Sequence, residues 1–251
     1  MCSARSSASA GLRSRSEAAD CRTGTVHRPH ELSIDDLLIH AWRSKQREHA
    51  ARWPRARRWI RELSADVRNE LRRRGFDVEL ATALDEQIAE IDGHADVWRI
   101  FLDADLFRRM VNALSSPFQS ERITKVLGIE ARGFLLGGAV AIELGAGFAA
   151  VRKGGHLPGA KLTQRTSAPD YRGQHHDLHL QAGALGRRDR VLLVDDWIEM
   201  GSQAAAAKSL VDQARATFVG TSVIVNQLPA DRAGQFGKLH YLVRYFPHDG
   251  K

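Results

Sequence analysis

The chain has 251 residues, which is enough for one domain of full size and an extension. Hydrophobic residues make up 43% of it, as in ordinary globular proteins, and no apolar run is long enough to span a membrane. The formal net charge is +7, and residues 1–75 hold 17 Lys and Arg against 9 Asp and Glu. This asymmetry could mark a basic arm for nucleic acid. No helix-turn-helix, zinc or RNA-recognition motif accompanies it, so we favour a solvated helical surface.

The N-terminal stretch, residues 1–30, is predicted to be a disordered leader. It is rich in Ser, Arg and Ala at its start and lacks the apolar core of a secretory signal. Both cysteines, Cys2 and Cys21, lie in this stretch, where they offer neither a disulfide framework nor a zinc site. We therefore expect a cytoplasmic protein.

Residues 31–94 are predicted to form a helical extension of two to four helices. Ser33 followed by two acids is typical of a helix start. Apolar residues recur at spacings of three and four over residues 55–74, and the amphipathic pattern returns over residues 80–91. Nothing in this extension carries recognisable chemistry.

Strands and helices alternate over residues 95–251, which predicts an α/β domain with a mostly parallel sheet flanked by helices. The predicted strands cover residues 97–102, 125–129, 148–152, 177–180, 191–195, 218–226 and 239–245. The predicted helices cover residues 105–114, the stretch from about 133 to 144, and the stretch that ends near 216. Residues 152–173 show no periodicity, which indicates a functional or mobile loop.

Three histidines, His175, His176 and His179, lie close together after this loop and could suggest a metal site. No acid or cysteine stands beside them at a ligand spacing. We interpret them instead as polar residues of an edge strand.

The clearest chemistry lies in RVLLVDDWIEMGSQA, residues 190–204. A buried strand ends in Asp195 and Asp196, and a turn containing one glycine then opens onto a helix. Open α/β sheets bind ligands at this end of their strands, and helix N-termini bind phosphate. Paired carboxylates can also accept hydrogen bonds from the vicinal hydroxyls of a sugar such as ribose. A simpler interpretation is that the acids only cap the helix.

This stretch resembles the phosphoribosyl-diphosphate (PRPP) binding motif of type I phosphoribosyltransferases, in which two acids precede a threonine- and glycine-rich phosphate loop. The resemblance implies that Asp195 and Asp196 hold the ribose hydroxyls and water bound to Mg²⁺. It also implies a 5′-phosphate site formed by Gly201, Ser202, Gln203 and Ala204. The loop departs from the family at Glu199 and Met200, and a carboxylate beside a phosphate is repulsive unless it points away or holds a cation.

A second segment, VLGIEARGFLLGGAVAIELGAGFAAVRKGGHLPG at residues 126–159, resembles the adenine branch of the same family. The resemblance implies that the diphosphate of PRPP lies against Glu130, Ala131, Arg132, Gly133, Arg152 and Lys153. Physically, Arg132 offers a forked donor for phosphate oxygens, and Gly133 lets the backbone approach closely. A helix start with a glycine packed on the sheet would explain the composition of this turn as well.

The loop over residues 152–173 resembles the segment that closes over the substrates in adenine phosphoribosyltransferases. The acid–tyrosine pair of that family is represented by Asp170 and Tyr171, with Arg172 inserted before Gly173. The resemblance implies that Asp170 is the proton-transfer group and that Tyr171 is the aromatic residue that closes the site.

The implied activity is phosphoribosyl transfer in purine salvage and nucleotide metabolism, with Mg²⁺ as cofactor. A ring nitrogen of a nucleobase, adenine or a related purine, attacks the anomeric carbon of PRPP and releases diphosphate. The expected partners are PRPP and the base, with neither a membrane nor nucleic acid, and a homodimer is left open. Three alternatives also stay open: a PRPP-binding regulator without turnover, a nucleic-acid-binding protein using the basic N-terminal region, and an enzyme with an acceptor other than adenine.

Overall fold

The computed structural model of the chain describes residues 33–49, 59–91, 94–154, 157–166 and 174–246. The predicted leader with its two cysteines lies outside these ranges. No helix within them is long and apolar enough to cross a membrane.

The extension contains three α-helices within the described residues: α1 (Ile34–His49), α2 (Ala65–Arg73) and α3 (Val78–Gln87). The predicted start of α1 is confirmed, because the Ser33 hydroxyl accepts a hydrogen bond from the Asp36 amide at 3.1 Å and the Asp36 carboxylate accepts one from the Ser33 amide at 2.9 Å. This reciprocal arrangement is a capping box. A short 3₁₀ helix, Trp59–Glu62, precedes α2.

Two boundaries in the extension differ from the prediction. The helix expected over residues 55–74 is interrupted, because the Ser64 side chain accepts a hydrogen bond from the Val67 amide and starts α2 afresh. The helix expected over residues 80–91 ends earlier, and the chain continues into an antiparallel hairpin of β1 (Ala89–Ile91) and β2 (His94–Asp96).

Seven further strands of the described residues form one sheet in the order β5-β6-β4-β3-β7-β8-β9. Strands β4, β3, β7, β8 and β9 run parallel, whereas β6 is antiparallel to β4 and β5 is antiparallel to β6. The predicted fold class, a mostly parallel sheet flanked by helices, is confirmed. The strands are β3 (Lys125–Ile129), β4 (Gly147–Lys153), β5 (Lys161–Arg165), β6 (Asp177–Gln181), β7 (Arg190–Ile198), β8 (Thr217–Asn226) and β9 (Lys238–Arg244).

Helices cover both faces of this sheet. On one face, α4 (Ala104–Ser115) and α5 (Arg132–Glu143) bury apolar side chains against Leu192 and Val194 of β7, and α1, α2 and α3 belong to the same apolar cluster. On the other face, α6 (Ser202–Gln213) packs on Leu193 and Leu127. The near-continuous burial of β3 and β7 follows from this double cover.

The strand predicted at residues 97–102 is wrong, because a 3₁₀ helix occupies Trp98–Leu102. The Asp96 carboxylate accepts a hydrogen bond from the Trp98 amide, and the buried Val97 and Ile100 stand three residues apart, which is a helical spacing. A short apolar run does not distinguish the two structures by itself.

The stretch predicted as a loop over residues 152–173 contains strand β5, which forms the edge of the sheet. Strand β6 is therefore internal, and the assignment of His179 to an edge strand is wrong. His179 is buried, and its Nδ1 lies 2.9 Å from the Thr163 hydroxyl on β5. On the opposite side, the Gln164 side chain accepts a hydrogen bond from the Ser209 hydroxyl of α6 at 2.9 Å. These contacts fix β5 although its sequence is polar.

His240 gives a pH-dependent contribution to stability. It is a β9 residue whose Nε2 lies 3.0 Å from the Ala113 carbonyl, and burial lowers its pKa from 6.5 to about 4. Between these values the unfolded chain binds a proton that the folded protein does not bind, so the free energy of unfolding falls as the pH drops from about 6.5 to about 4. The contribution is up to about 3 kcal/mol.

We expect His240→Gln, which keeps a donor for Ala113, to flatten this part of the pH profile in urea unfolding. His40→Gln, at an exposed position of α1, is the matched control and should leave the profile unchanged. If the free energy of unfolding depended on pH equally in the wild type and in His240→Gln, His240 would not be the source of this pH dependence.

Candidate active site

The two predicted motif segments meet where the direction of the chain connections reverses. From β3 the chain passes through α5 to β4 on one side, and from β7 it passes through α6 to β8 on the other side. The two helices also lie on opposite faces, so a crevice opens between the carboxyl ends of β3 and β7. Such a topological switch point is where open α/β sheets bind ligands.

The acid pair lies inside β7, which continues to Ile198 rather than ending at Asp195 as predicted. Pairing of β3 with β7 ends at Gly128 and Val194, so Asp195 and Asp196 lie just beyond the shared ladder. Asp196 is 6% exposed and Asp195 is partly buried. Their carboxylates therefore line the crevice instead of capping α6.

The turn from β3 into α5 packs directly on these acids. The Arg132 Nε donates a hydrogen bond to the Asp196 carboxylate at 2.6 Å. A Cβ on Gly133 would lie 3.0 Å from Asp195 Oδ1 and 3.2 Å from the Val194 carbonyl. A glycine is thus needed for the start of α5 to approach β7 this closely, and the Glu130–Ala131 peptide immediately before it is cis.

Glu130 organises the basic residues at the end of β4. Its carboxylate accepts hydrogen bonds from Arg152 Nε at 3.0 Å and from the Lys153 amide at 2.9 Å. Its amide donates to the Val151 carbonyl at 2.9 Å. Arg152 and the main chain of Lys153 are therefore held at Glu130, two residues before Arg132 in the chain, and their role in binding an anion stays a prediction.

The electrostatics of the acid pair favour a bound cation or hydroxyl donor. Burial raises the pKa of Asp195 well above its usual range, and the negative charge of Asp196 raises it further. The nearby charge of Lys153 acts in the opposite direction. Two adjacent carboxylates in such a place ionise together only at a cost, and a ligand that supplies positive charge or donors between them removes that cost.

The predicted phosphate loop connects the carboxyl end of β7 to the start of α6. Gly201 has φ of +77° and directly precedes α6, whose first amides have no partner within the helix. A Cβ on Gly201 would lie 2.5 Å from the Phe236 ring and 3.0 Å from Leu228. The positive end of the helix dipole at Ser202, Gln203 and the buried Ala204 suits a phosphate.

Sequence reasoning did not identify the support of this loop. Arg232 donates a hydrogen bond to the Met200 carbonyl at 3.1 Å, and Leu228 and Phe236 lie beneath Gly201. These three residues follow β8 and show no motif. Glu199 and Met200, the departures from the expected loop, are both exposed.

Two predicted residues cannot be placed. Asp170 and Tyr171 lie outside the described residues, so their assignment as proton-transfer group and closing aromatic stays a prediction. Within the described residues, no group of three or more His, Cys, Asp or Glu side chains could hold a metal ion by itself.

Comparisons with known proteins point to one family. The family model of the phosphoribosyl transferase domain matches residues 97–250. Adenine phosphoribosyltransferase from Bradyrhizobium sp. (strain ORS 278) is 43% identical over 131 residues, which are 52% of this chain and 72% of that protein.

The solved structures that resemble this chain include adenine phosphoribosyltransferases as well. Adenine phosphoribosyltransferase from Rhodothermus marinus is 31% identical with a TM-score of 0.59, and the match covers 67% of this chain and 99% of that chain. The enzyme from Saccharomyces cerevisiae, solved with adenine and an imino-altritol bisphosphate, is 28% identical with a TM-score of 0.57, over 66% of this chain and 99% of that chain.

The contact of Gly133 with Asp195 predicts a sharp effect of one methyl group. In Gly133→Ala the new Cβ pushes against Asp195 Oδ1, so we expect PRPP affinity to fall by about tenfold or more, the scale that displacement of a binding group produces. Gly138→Ala is the matched control on the same helix, because a Cβ there meets nothing within 4 Å. Isothermal titration calorimetry gives both affinities. Similar affinities in the two variants would refute the close contact.

Proposed function

The chain belongs to the phosphoribosyl transferase family, and we propose that it transfers the phosphoribosyl group of PRPP to adenine with release of diphosphate. One observation carries the proposal. The acid pair of β7, the arginine of the β3–α5 turn and the glycine turn before α6 all stand on the carboxyl side of the strands at the switch point of the sheet.

In this proposal, different residues bind different parts of PRPP. Asp195 and Asp196 accept hydrogen bonds from the ribose hydroxyls. Arg132, Arg152 and Lys153 bind the diphosphate, and the glycine turn before α6 binds the 5′-phosphate. An arginine carries several N–H donors, so Arg132 can bind a phosphate oxygen and still donate to Asp196.

The chemistry follows from these positions. A ring nitrogen of adenine forms a bond to the anomeric carbon as the bond from that carbon to diphosphate breaks, and the bonding electrons leave with diphosphate. Positive charge develops on the ribose in the transition state, beside the carboxylates of Asp195 and Asp196, which stabilise it. The negative charge that develops on the leaving diphosphate lies against Arg132 and Arg152. Asp170 is the proposed group that takes the ring-nitrogen proton, and Tyr171 the proposed aromatic that closes the site.

Magnesium belongs to the proposal as well. Mg²⁺ keeps several waters and usually takes one or two carboxylates together with substrate phosphates. Asp195 and Asp196 fit that requirement, because an acid pair with a raised Asp195 pKa gains from a nearby cation. When bound, the ion neutralises diphosphate charge and orients the substrate.

The acceptor, location and assembly are proposals of the same kind. Adenine as the acceptor is supported by the identity to adenine phosphoribosyltransferases. A cytoplasmic location is supported by a sequence with two cysteines, both close to its N-terminal end. A homodimer is supported by exposed apolar side chains on one side of α5, where Leu135 is 42% exposed and Ile142 is 84% exposed.

The decisive experiment is an assay of the pure protein with PRPP, Mg²⁺ and each common base in turn. We expect diphosphate and a nucleoside monophosphate to appear with adenine. The double variant Asp195→Asn/Asp196→Asn should lose PRPP binding while its circular dichroism spectrum stays that of the wild type. PRPP binding without turnover on any base would favour a regulator, and no PRPP binding at all would overturn the proposal.

The altered phosphate loop gives a separate prediction. Glu199 is exposed, and exposed charges are screened, so Glu199→Ala should change PRPP affinity by less than about threefold. Gly201→Ala, two residues away, should weaken PRPP binding by more than about tenfold, because φ at this position is positive and Phe236 blocks the Cβ. Calorimetry compares the two variants. A tenfold gain for Glu199→Ala would mean that its carboxylate repels the phosphate.

A further inference from the structure

Arg244, the last residue of β9, is a buried cation that is not among the residues assigned to the substrate. It is 3% exposed, and its guanidinium lies 4.8 Å from the centre of the Phe246 ring. Its Nη atoms donate hydrogen bonds to the Asn226 carbonyl at 2.9 Å and the Leu228 carbonyl at 2.7 Å. The first carbonyl belongs to the last residue of β8, and the second belongs to the segment that follows β8.

The segment held by Arg244 is the floor of the phosphate loop. Leu228 is 1% exposed and stands within van der Waals reach of Gly201, since a Cβ there would lie 3.0 Å from it. The Asn226 side chain accepts a hydrogen bond from the Leu228 amide at 2.9 Å, and the Gln227 amide donates to the Ile198 carbonyl at 2.8 Å. The position of Leu228, and with it of Gly201, is therefore set by main-chain contacts that include Arg244.

The charge of Arg244 is balanced by the helical extension. Asp35, in the first turn of α1, accepts hydrogen bonds from Arg244 Nε at 3.2 Å and from the Tyr241 hydroxyl at 2.8 Å. Burial lowers the pKa of Arg244, and the Asp35 carboxylate opposes that shift. Removing the carboxylate leaves this buried guanidinium with carbonyl acceptors but without a charged partner, so we expect its neighbourhood to rearrange. The stacking of Trp42 on Phe246, at 4.7 Å between ring centres, holds α1 in the same place.

We infer that Asp35 and Arg244 are positioning residues for the phosphate loop, so that the first helix of the extension sets the geometry of the 5′-phosphate site. The identity of the ligand in this inference rests on the proposed function. The mechanical link does not, because it runs through contacts within the chain: Asp35 to Arg244, Arg244 to Leu228, and Leu228 to Gly201.

The first arm of the test needs no ligand. Hydrogen exchange is measured by mass spectrometry on residues 199–205 in Asp35→Ala and Asp35→Asn. We expect exchange about tenfold faster in Asp35→Ala, because the loop opens more often. Asp35→Asn keeps an acceptor oxygen for Arg244. Its exchange rate over residues 199–205 should therefore lie between the rates of Asp35→Ala and the wild type. Residues 128–137 serve as an internal reference and should not change.

The matched control is Glu79→Gln. It removes the ion pair of Glu79 with Arg72, an acid–arginine pair of the same extension that does not contact Arg244. Its loop exchange should equal that of the wild type. If Asp35→Ala fails to fold, Asp35→Asn carries the test.

The second arm separates the two ends of the substrate. Binding of ribose 5-phosphate should weaken by about tenfold in Asp35→Ala, whereas binding of diphosphate with Mg²⁺ should stay within about twofold. A general loss of stability would not produce this split.

Wild-type loop exchange in a folded Asp35 variant, or equal changes in Glu79→Gln, would overturn the inference. A wild type that binds neither ligand, with loop exchange still dependent on Asp35, would overturn the proposed function and the assignment of the ligand but leave the mechanical link in place.

Discussion

The structure depends on keeping two adjacent carboxylates inside a buried strand, close to its carboxyl end. Asp195 and Asp196 lie beyond the point where β3 stops pairing with β7, in a place where burial and mutual repulsion oppose ionisation. The surroundings counter that cost in several ways. Arg132 donates to Asp196, the charge of Lys153 favours the ionised form of Asp195, and Gly133 lets the helix start come close. A ligand that donates hydrogen bonds or supplies positive charge between the two carboxylates would offset the remaining cost.

The helical extension packs against the same domain that carries the acid pair. Its helices bury their apolar faces in the same cluster as α4, α5 and one face of the sheet. Two tyrosines near the C-terminal end of β9 donate hydrogen bonds to the extension, Tyr245 to the buried Asp85 of α3 and Tyr241 to the partly exposed Asp35 of α1. Burial of apolar surface is non-directional, whereas a charge-assisted hydrogen bond requires a specific geometry. The polar contacts therefore fix where the extension lies on β9.

Much of the fold could be predicted from local sequence. The remaining elements could not, because they depend on contacts between distant residues. β3 is a continuous apolar run with helix signals after it, so its bounds were predicted correctly. β5 was not predicted because it is polar, and it is fixed by Thr163 and Gln164, whose partners stand far away in the chain. The 3₁₀ helix at Trp98–Leu102 was mistaken for a strand since a short apolar run fits both periods.

The candidate site also contains features that could be predicted from the sequence and contacts that could not. The acid pair and the glycine turn stand in one contiguous stretch, so their order and the family resemblance were enough to predict them as a candidate site. The contact of Arg132 with Asp196 joins residues 64 positions apart, and that of Arg244 with Asp35 joins residues 209 positions apart. Neither shows a pattern in one sequence, because the pairing is created by the sheet order and not by spacing along the chain.

The proposed phosphate loop differs from the family in its side chains but keeps a main-chain geometry that suits a phosphate. The family usually presents threonine hydroxyls there, whereas this chain has an exposed Met200 and the longer Gln203. The features that remain are main-chain features: the positive φ of Gly201, the start of α6 at Ser202 and the Met200 carbonyl held by Arg232. A helix N-terminus binds phosphate through amides and its dipole, whatever side chains it carries. The geometry of Gly201 is therefore the feature that this loop can least do without, and it is the feature that Leu228 and Phe236 hold in place from below.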